Sequence, residues 1–457
     1  MDQTTTSVDP AATSAGEADN KDLMKASPPP KRRIYPWVVA ALAFGLLLAD
    51  YMSRQVLAAV FPLLKAEWSL TDAKLASLNS IVALMVGLLT FPLSVIADRF
   101  GRVRSLVTMA VVWSLATLMC GLAANFEQML VARFFVGVGE AAYGSVGIAV
   151  VLSVFAPRLH SSLSGAFMAG GSFGSVLGVS LGGVIAVNFG WRWSFTAMAV
   201  FGLILAALFR VVVTESRLKR HAVRDDGAVE EAAHRTKIRV PVSTLFTNPA
   251  VWCAYVGSGL QMFTAAVLLS WTPSLFNRYY GLDTAEAAGV AGLFVLLVGT
   301  GMVVSGIITD RVSRVNVSNK WLSAIAYCAI SLVSLGIAFR IEPGAAQLWL
   351  LAIGAFFAGG SSGPTAAMVA SLTHETVRSS ALGTLTVANN VLGLALGPFV
   401  IGILADKLGL MESLALAPLF YIGAIVALFI GWRVYPRGLR KLAAQSESYA
   451  KQAAASA

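Results

Sequence analysis

The chain has 457 residues, of which 57% are hydrophobic and 13% charged, and its mean hydropathy is +0.73. A soluble domain carries about 25% charged residues, so this composition excludes an ordinary soluble protein and points to a chain that lives in a bilayer. The net charge of +10 does not require a nucleic-acid partner, because the basic residues are unevenly placed. With spans set by hydropathy, about 22 Lys and Arg fall in alternate loops on one side and about 6 on the other. The rich side holds Lys31–Arg33, Arg99, Arg102, Arg104, Arg217–Arg220, Arg311, Arg314 and Arg433–Lys441. This bias puts those loops and both termini in the cytoplasm and the protein in the inner or plasma membrane. Cys120, Cys253 and Cys328 each sit in an apolar run. An odd count without metal spacing predicts no disulfide framework, metal site or cofactor.

Residues 1–30, within an expected tail of 1–34, are polar, rich in Ser, Thr and Ala, and close on Pro28-Pro29-Pro30. They contain no apolar core behind a basic start, so they read as a disordered cytoplasmic tail and not as a signal peptide. Apolar runs long enough to span follow at roughly 36–60, 75–97, 104–124, 128–153, 161–188 and 193–213, then 249–273, 286–309, 319–339, 346–371, 379–404 and 413–434. The expectation is an all-α membrane protein of twelve helices. Two six-helix bundles, 35–213 and 248–436, are joined by a cytoplasmic loop, 214–247, and followed by a cytoplasmic tail, 437–457. The loop carries Arg217, Lys219, Arg220, Asp225, Asp226, Glu230 and Glu231 and is the one long polar interruption.

The halves repeat. Ala97-Asp98-Arg99 follows span two and Thr309-Asp310-Arg311 follows span eight; Val176-Leu177-Gly178 with Leu181-Gly182 in span five recurs as Val391-Leu392-Gly393 with Leu396-Gly397 in span eleven. Repeated bundles about a midplane site are the architecture of secondary transporters.

Charges inside the spans mark that site. Arg133 and Glu140 lie in an otherwise apolar run, two helical turns apart and on one face. A charge near mid-bilayer costs about 2.5–3.5 kcal/mol on insertion scales, so this face looks into protein or a water-filled cavity. The roughly 10 Å of rise between the two predicts that each answers a group on another helix or a substrate, unless both belong to a buried structural network. Asp50 and Arg54 in span one are four residues apart, so an intrahelical pair competes with a functional role. Arg cannot be discharged cheaply, so Arg54 and Arg133 each need a counter-charge, for which the spans offer Asp50 and Glu140. Asn79, Gln261, Asn389 and Asn390 line the cavity or hydrogen-bond between helices.

The loop Asp98-Arg99-Phe100-Gly101-Arg102-Val103-Arg104 resembles the signature of the major facilitator superfamily, with Ser94 where its first Gly stands, and Gly306-x-x-x-Asp310-Arg311 is a partial second copy. The resemblance covers residues 35–436. It implies gating roles for Asp98, Arg99, Gly101, Arg102, Asp310 and Arg311. Within the superfamily the chain is similar to Spinster-type transporters. The carrying residues are Gly137-Val-Gly-Glu140-Ala-Ala-Tyr143, Gly178-x-x-x-Gly182-Gly183, Phe189-Gly190-Trp191-Arg192, Leu269-x-Trp271-x-Pro273 and the stretch Val391–Pro398. Organic-anion symporters share the Gly-x-Gly-Glu-Ala core. The resemblance implies that Arg133 and Glu140 are the central Arg and protonatable Glu. In span one Asp50-Tyr51-Met52-Ser53-Arg54 departs from the family's Asn-Tyr-x-Asp-Arg: Ser53 stands where the acid is usual, and an acid stands one turn earlier.

Two strings, Gly170–Gly174 and Gly359–Gly363, fit Gly-x-Ser-x-Gly, but both lie in spans and none of His160, His221, His234 and His374 does, so a hydrolase is excluded. Gly137-x-Gly139-x-x-Ala142 lacks the strand a dinucleotide site requires. The function expected is secondary transport by alternating access, coupled to protons, of a small organic anion or an anionic amphiphile such as a lysolipid, by a monomer in the lipid bilayer. The site is expected at Glu140, Arg133, Asp50, Arg54, Ser53, Tyr143, Gln261, Asn389 and Asn390. A proton-coupled organic-acid importer is the runner-up, and a transporter-like membrane sensor is the alternative class.

Overall fold

The structure is a computed structural model that describes residues 34–156, 159–221, 247–314, 316–374 and 377–455. The expected tail, residues 1–33, and most of the expected loop, residues 222–246, lie outside the described residues. Twelve helices are long and apolar enough to cross a membrane. In the first half these are α1 (Ile34–Trp68), α2 (Asp72–Phe100), α3 (Arg102–Leu122), α4 (Phe126–Leu152), α5 (His160–Phe189) and α6 (Trp191–Val212). In the second they are α7 (Pro249–Tyr279), α8 (Thr284–Val312), α9 (Asn319–Ala338), α10 (Ala345–Ser371), α11 (Ser380–Leu408) and α12 (Leu410–Gln445). The described residues contain no strand. Helices are what a single segment can do in hydrocarbon, because every backbone polar group is satisfied within the segment.

The helices overrun the apolar stretches at several ends. α1 continues past residue 60 to Trp68 and α7 past 273 to Tyr279. Hydropathy marks only the lipid-embedded part, whereas Leu, Lys, Glu and Arg continue a helix into the polar layer without cost. The same reason carries the last helix, Phe420–Ala455, through the expected tail. A short helix, Glu215–His221, opens the expected loop. Glu215 Oε1 accepts the Val103 N–H at 2.8 Å, satisfying an orphan donor at the start of α3.

The duplication is visible in geometry. Gly190 joins α5 to α6 with φ 90°, and Gly409 joins α11 to α12 with φ 86°, a region that an L side chain rarely adopts. Glycines of α5 face the α1 backbone, where a Cβ at Gly178 would stand 2.6 Å from Met52 O. Gly393, its counterpart in α11, presents the same surface to α7, where a Cβ would stand 2.6 Å from Met262 Cβ and 3.0 Å from Met262 C. Close approach through small residues is how membrane helices gain packing when lipid is as apolar as their side chains. The two halves meet along α5 with α8 and along α2 with α11. At the end opposite the termini, the fully buried Phe61 and Trp271 rings meet across this interface with centroids 5.6 Å apart.

Candidate functional site

The site begins on α1. Asp50, Ser53 and Arg54 share one helical face, turned toward α4. Arg54 donates from Nε and Nη2 to Glu140 Oε2 at 3.0 and 2.7 Å. The Glu140 side chain is fully buried, while that of Arg54 keeps 18% of its surface exposed. Ser53 Oγ lies 3.4 Å from Glu140 Oε1 and 2.7 Å from Asp50 O; a hydroxyl has one proton to donate, and the shorter contact is to the backbone. The Asp50 carboxyl is buried and faces Glu140, and its Oδ1 has no hydrogen-bond partner. Arg54 also stands 5.3 Å from the Tyr51 ring centroid, within cation–π range.

Arg54 is therefore not held in an intrahelical pair with Asp50. It crosses to α4, where the carboxylate offers a fork-compatible acceptor, and it leaves two carboxyl groups close together beside one guanidinium.

Arg133 departs further from expectation. It is fully buried, and its donors go to Leu78 O (3.2 Å), Ser53 O (3.3 Å), Arg54 O (3.3 Å) and Asn79 Oδ1 (3.2 Å). No carboxylate is among these partners; backbone carbonyls of α1 and α2 replace the expected counter-charge. Its five donors and planar fork suit that clamp better than a point charge would. The Tyr143 hydroxyl donates to Ala43 O at 2.8 Å, and its ring meets the edge of Trp113.

A cavity opens where Arg54 faces the second half. It is lined by Arg54, Gln55, Asn79 and Ala83 from α1 and α2, and by Ala266, Leu269, Ser270 and Leu394 from α7 and α11. Asn79 Nδ2 donates across it to Ser270 Oγ at 3.1 Å, and beside it Ser80 Oγ donates to Ala395 O at 2.6 Å. Both bridges join the two halves. Ser270 was invisible in the sequence, because one Ser in an apolar run carries no signal until α7 is seen against α2.

Of the remaining expected residues, Gln261 points into the second bundle, where its amide donates to Ala358 O and its Oε1 is unpartnered. Asn389 and Asn390 open a π-helical turn, Asn389–Ala395, in α11. Asn390 Nδ2 donates back to Thr386 O at 2.9 Å, and both Oδ1 atoms are buried without a partner. Such π-turns are common at functional sites. None of these three lines the Arg54 cavity.

The expected gate residues fall at the end nearer the termini. Gly101 has φ 98°, and Arg99, Arg102, Asp310 and Arg311 are exposed. The Asp98 side chain lies outside the described residues. Ser94, at the position of the signature's first Gly, donates to Thr90 O at 2.7 Å and meets Ser145 Oγ at 2.9 Å. The charged contacts between the halves that sequence reading missed lie at the other end: Asp72, paired with Lys65 of its own half, also takes Arg278, and Asp406 takes backbone N–H groups of α2. Hydropathy spans that stop at 60 and 273 and restart at 75 assign these residues to loops.

This chain is similar over most of its length to known carriers. It is 26% identical over 410 residues, 88% of this chain and 96% of the relative, to the cis,cis-muconate transport protein of Acinetobacter baylyi. It is 23% identical to protein spinster homolog 1 of Xenopus laevis, over 81% of this chain and 73% of the relative. A probable L-galactonate transporter of Escherichia coli is 26% identical over 61% of this chain, and the match spans only 62% of that protein's length. Among solved structures, a bacterial homologue of the human lysosomal transporter Spinster, inward-facing and unoccupied, superimposes with a TM-score of 0.78 at 17% identity, covering 89% of this chain and 99% of that one. The model of the Major Facilitator Superfamily matches residues 43–391, which reaches from the first half across the loop and into α11. Twelve spans, a repeated six-helix unit and that match leave one conclusion: the chain belongs to the Major Facilitator Superfamily and is an integral membrane transporter, not an enzyme.

Proposed function

We propose that the protein is a secondary transporter that carries a small organic carboxylate together with protons, by alternating access of the Arg54 cavity to the two sides of the membrane. The observation that carries this reading is the placement of Arg54, whose guanidinium lines the inter-bundle cavity while its fork is held from behind by Glu140. A carboxylate arriving in the cavity and the Glu140 carboxylate compete for one cation. When Glu140 takes a proton, Arg54 is released to the arriving anion and the site stays neutral.

Proton and anion then bind better together than apart. Positive coupling of this kind is what symport requires, whereas exchange requires the two to displace each other. Asp50 beside Glu140 is the second proton-carrying group, in place of the acid absent at Ser53. Arg133 fixes the α1 backbone under this pair, and the apolar Ala266, Leu269 and Leu394 accept the body of the substrate. Relatives named for cis,cis-muconate, hexuronate and gallate support a small organic anion over a lysolipid. The positive-inside bias supports termini in the cytoplasm.

Proteoliposome uptake tests this reading. Aromatic and sugar-derived carboxylates are screened with and without an inward proton gradient, alongside lysophospholipid. Gradient-stimulated uptake of a carboxylate is expected. Uptake of lysophospholipid alone, or carboxylate uptake indifferent to the gradient in both directions, overturns it.

A further inference from the structure

At the end of the molecule opposite the termini, four charged side chains close the seam between the halves. Asp72, the first residue of α2, is 2% exposed. Arg278 at the end of α7 grips it through two donors, Nη1 to Oδ2 at 2.9 Å and Nη2 to Oδ1 at 2.6 Å. Lys65 of α1 donates to the same Oδ1 at 2.7 Å. From α11, Asp406 reaches across in the other direction. Its Oδ1 accepts the Asp72 N–H at 2.6 Å and its Oδ2 the Ala73 N–H at 3.0 Å, so one half caps a helix of the other.

We propose that these four residues form a partner-exchanging latch, which holds this face shut and divides into two neutral pairs when the halves separate. The division is written into the chain. Lys65 and Asp72 belong to the first half; Arg278 and Asp406 belong to the second. Each half carries one cation and one anion. On opening, Asp72 gives up Arg278 and keeps Lys65, which already touches it. The start of α2 gives up Asp406 and keeps Thr71, whose Oγ1 accepts the Lys74 N–H at 3.3 Å. Arg278 and Asp406, each stripped of its partner across the seam, are left with opposite charges on the neighbouring helices α7 and α11.

A simple two-charge bridge would leave a lone carboxylate and a lone guanidinium when the seam opens, each having given up a charge-assisted contact. The exchange removes most of that penalty, so the seam can be tight when shut and still cycle. Lys65 bonds within its own half and does not itself bridge the seam, so its contribution weighs more in the open form than in the shut one.

The test follows from that asymmetry. In a background with Cys120, Cys253 and Cys328 replaced by Ala, a reporter Ala83→Cys in the cavity is labelled with a membrane-impermeant thiol reagent applied from the face of residues 280–283. Arg278→Gln removes a closing contact, and labelling should rise at least about three-fold; a tenfold shift corresponds to only ~1.4 kcal/mol between the two forms. Lys65→Gln withdraws the partner of the open form, so labelling should fall below that of the unsubstituted chain and turnover should slow. A merely structural cluster would loosen in both variants. If Arg278→Gln does not fold, Arg278→Lys, which keeps the charge and loses the fork, should give a smaller rise. Labelling that moves in the same direction for Lys65→Gln and the Arg278 variant, or in neither, overturns the latch.

Discussion

Glu140→Gln isolates the step on which coupling depends. The substitution keeps the volume and one carbonyl oxygen but removes the charge that holds Arg54 at 3.0 and 2.7 Å. Charge-assisted hydrogen bonds are worth about 1.5–3 kcal/mol and neutral ones about 1, so roughly 1–2 kcal/mol of restraint on the guanidinium is lost. An anion in the cavity no longer has to displace a carboxylate, and its affinity should rise about 5- to 30-fold at neutral pH. The sign with pH is equally definite. In the proposed cycle a proton on the carboxylate frees Arg54, so the unsubstituted protein should bind the anion more tightly at lower pH. In Glu140→Gln the affinity should be high and nearly flat with pH. Equilibrium binding of a transported carboxylate across pH 5 to 8 (a range about that of physiological titrations) reads the affinity, and proteoliposomes read the flux. The variant should still exchange labelled for unlabelled anion but should fail to accumulate it against a gradient. A variant that retains the pH slope, or one that still concentrates the anion with a proton gradient, refutes this role for Glu140.

Arg54→Lys keeps the charge but loses the two-pronged donor, and should weaken anion binding about ten-fold or more while the protein remains folded. Arg133→Lys should do the reverse. It gives up bonds to carbonyls of α1 and α2, so the detergent melting temperature should drop while the surviving protein binds anion within about three-fold of the original, because the clamp acts through position alone. Asp50→Asn removes a buried carboxyl beside Glu140 whose Oδ1 has no hydrogen-bond partner. It should leave exchange intact and reduce the number of protons moved per anion, read by comparing proton and anion fluxes in the same vesicles.

The residues that could be read from the chain were those whose cost in lipid is local. A guanidinium or carboxylate in an apolar run needs a partner wherever it sits, so Arg54, Asp50, Arg133 and Glu140 stood out without any knowledge of packing. Which cation would meet which anion was not legible. Spacing of four along α1 favours Asp50 with Arg54 on an isolated helix, yet α4 lies close enough to offer Glu140 instead. Only a three-dimensional arrangement decides between a neighbour on the same helix and one on the next. The same limit explains Arg133, whose buried guanidinium was expected to face a charge and in fact finds carbonyls of two helices. The repeat was legible because glycines that admit another helix cannot be replaced without a clash: Gly178 pairs with Gly393 and Gly182 with Gly397 in the two copies. Lys65, Asp72, Arg278 and Asp406 were hidden for the opposite reason. At the ends of spans charges are inexpensive, so composition cannot separate a latch from ordinary interfacial residues.

The two polar layers differ in how the chain distributes them, and that difference assigns their work. Arg54, Glu140, Arg133 and Asp50 all belong to the first half. Separation of the halves therefore leaves their mutual bonds unbroken, and the layer can hold or release a proton in either orientation of the molecule. The outer layer is divided between halves, so separation cannot occur without rearranging it. Between them stands Asn79, which takes Arg133 Nη2 on its Oδ1 and passes its own N–H to Ser270 of the second half. Charge chemistry confined to one half and closure shared by two are independent unless something joins them, and Asn79 bonds both the charge layer and the second half. Substitutions in the latch should accordingly alter access to the cavity and leave the pH slope of anion binding in place, while Glu140→Gln should abolish the slope and leave the latch shut. A single variant at Lys65 or Arg278 that flattened the pH slope would show instead that the two layers form one network, with Asn79 as its narrowest point.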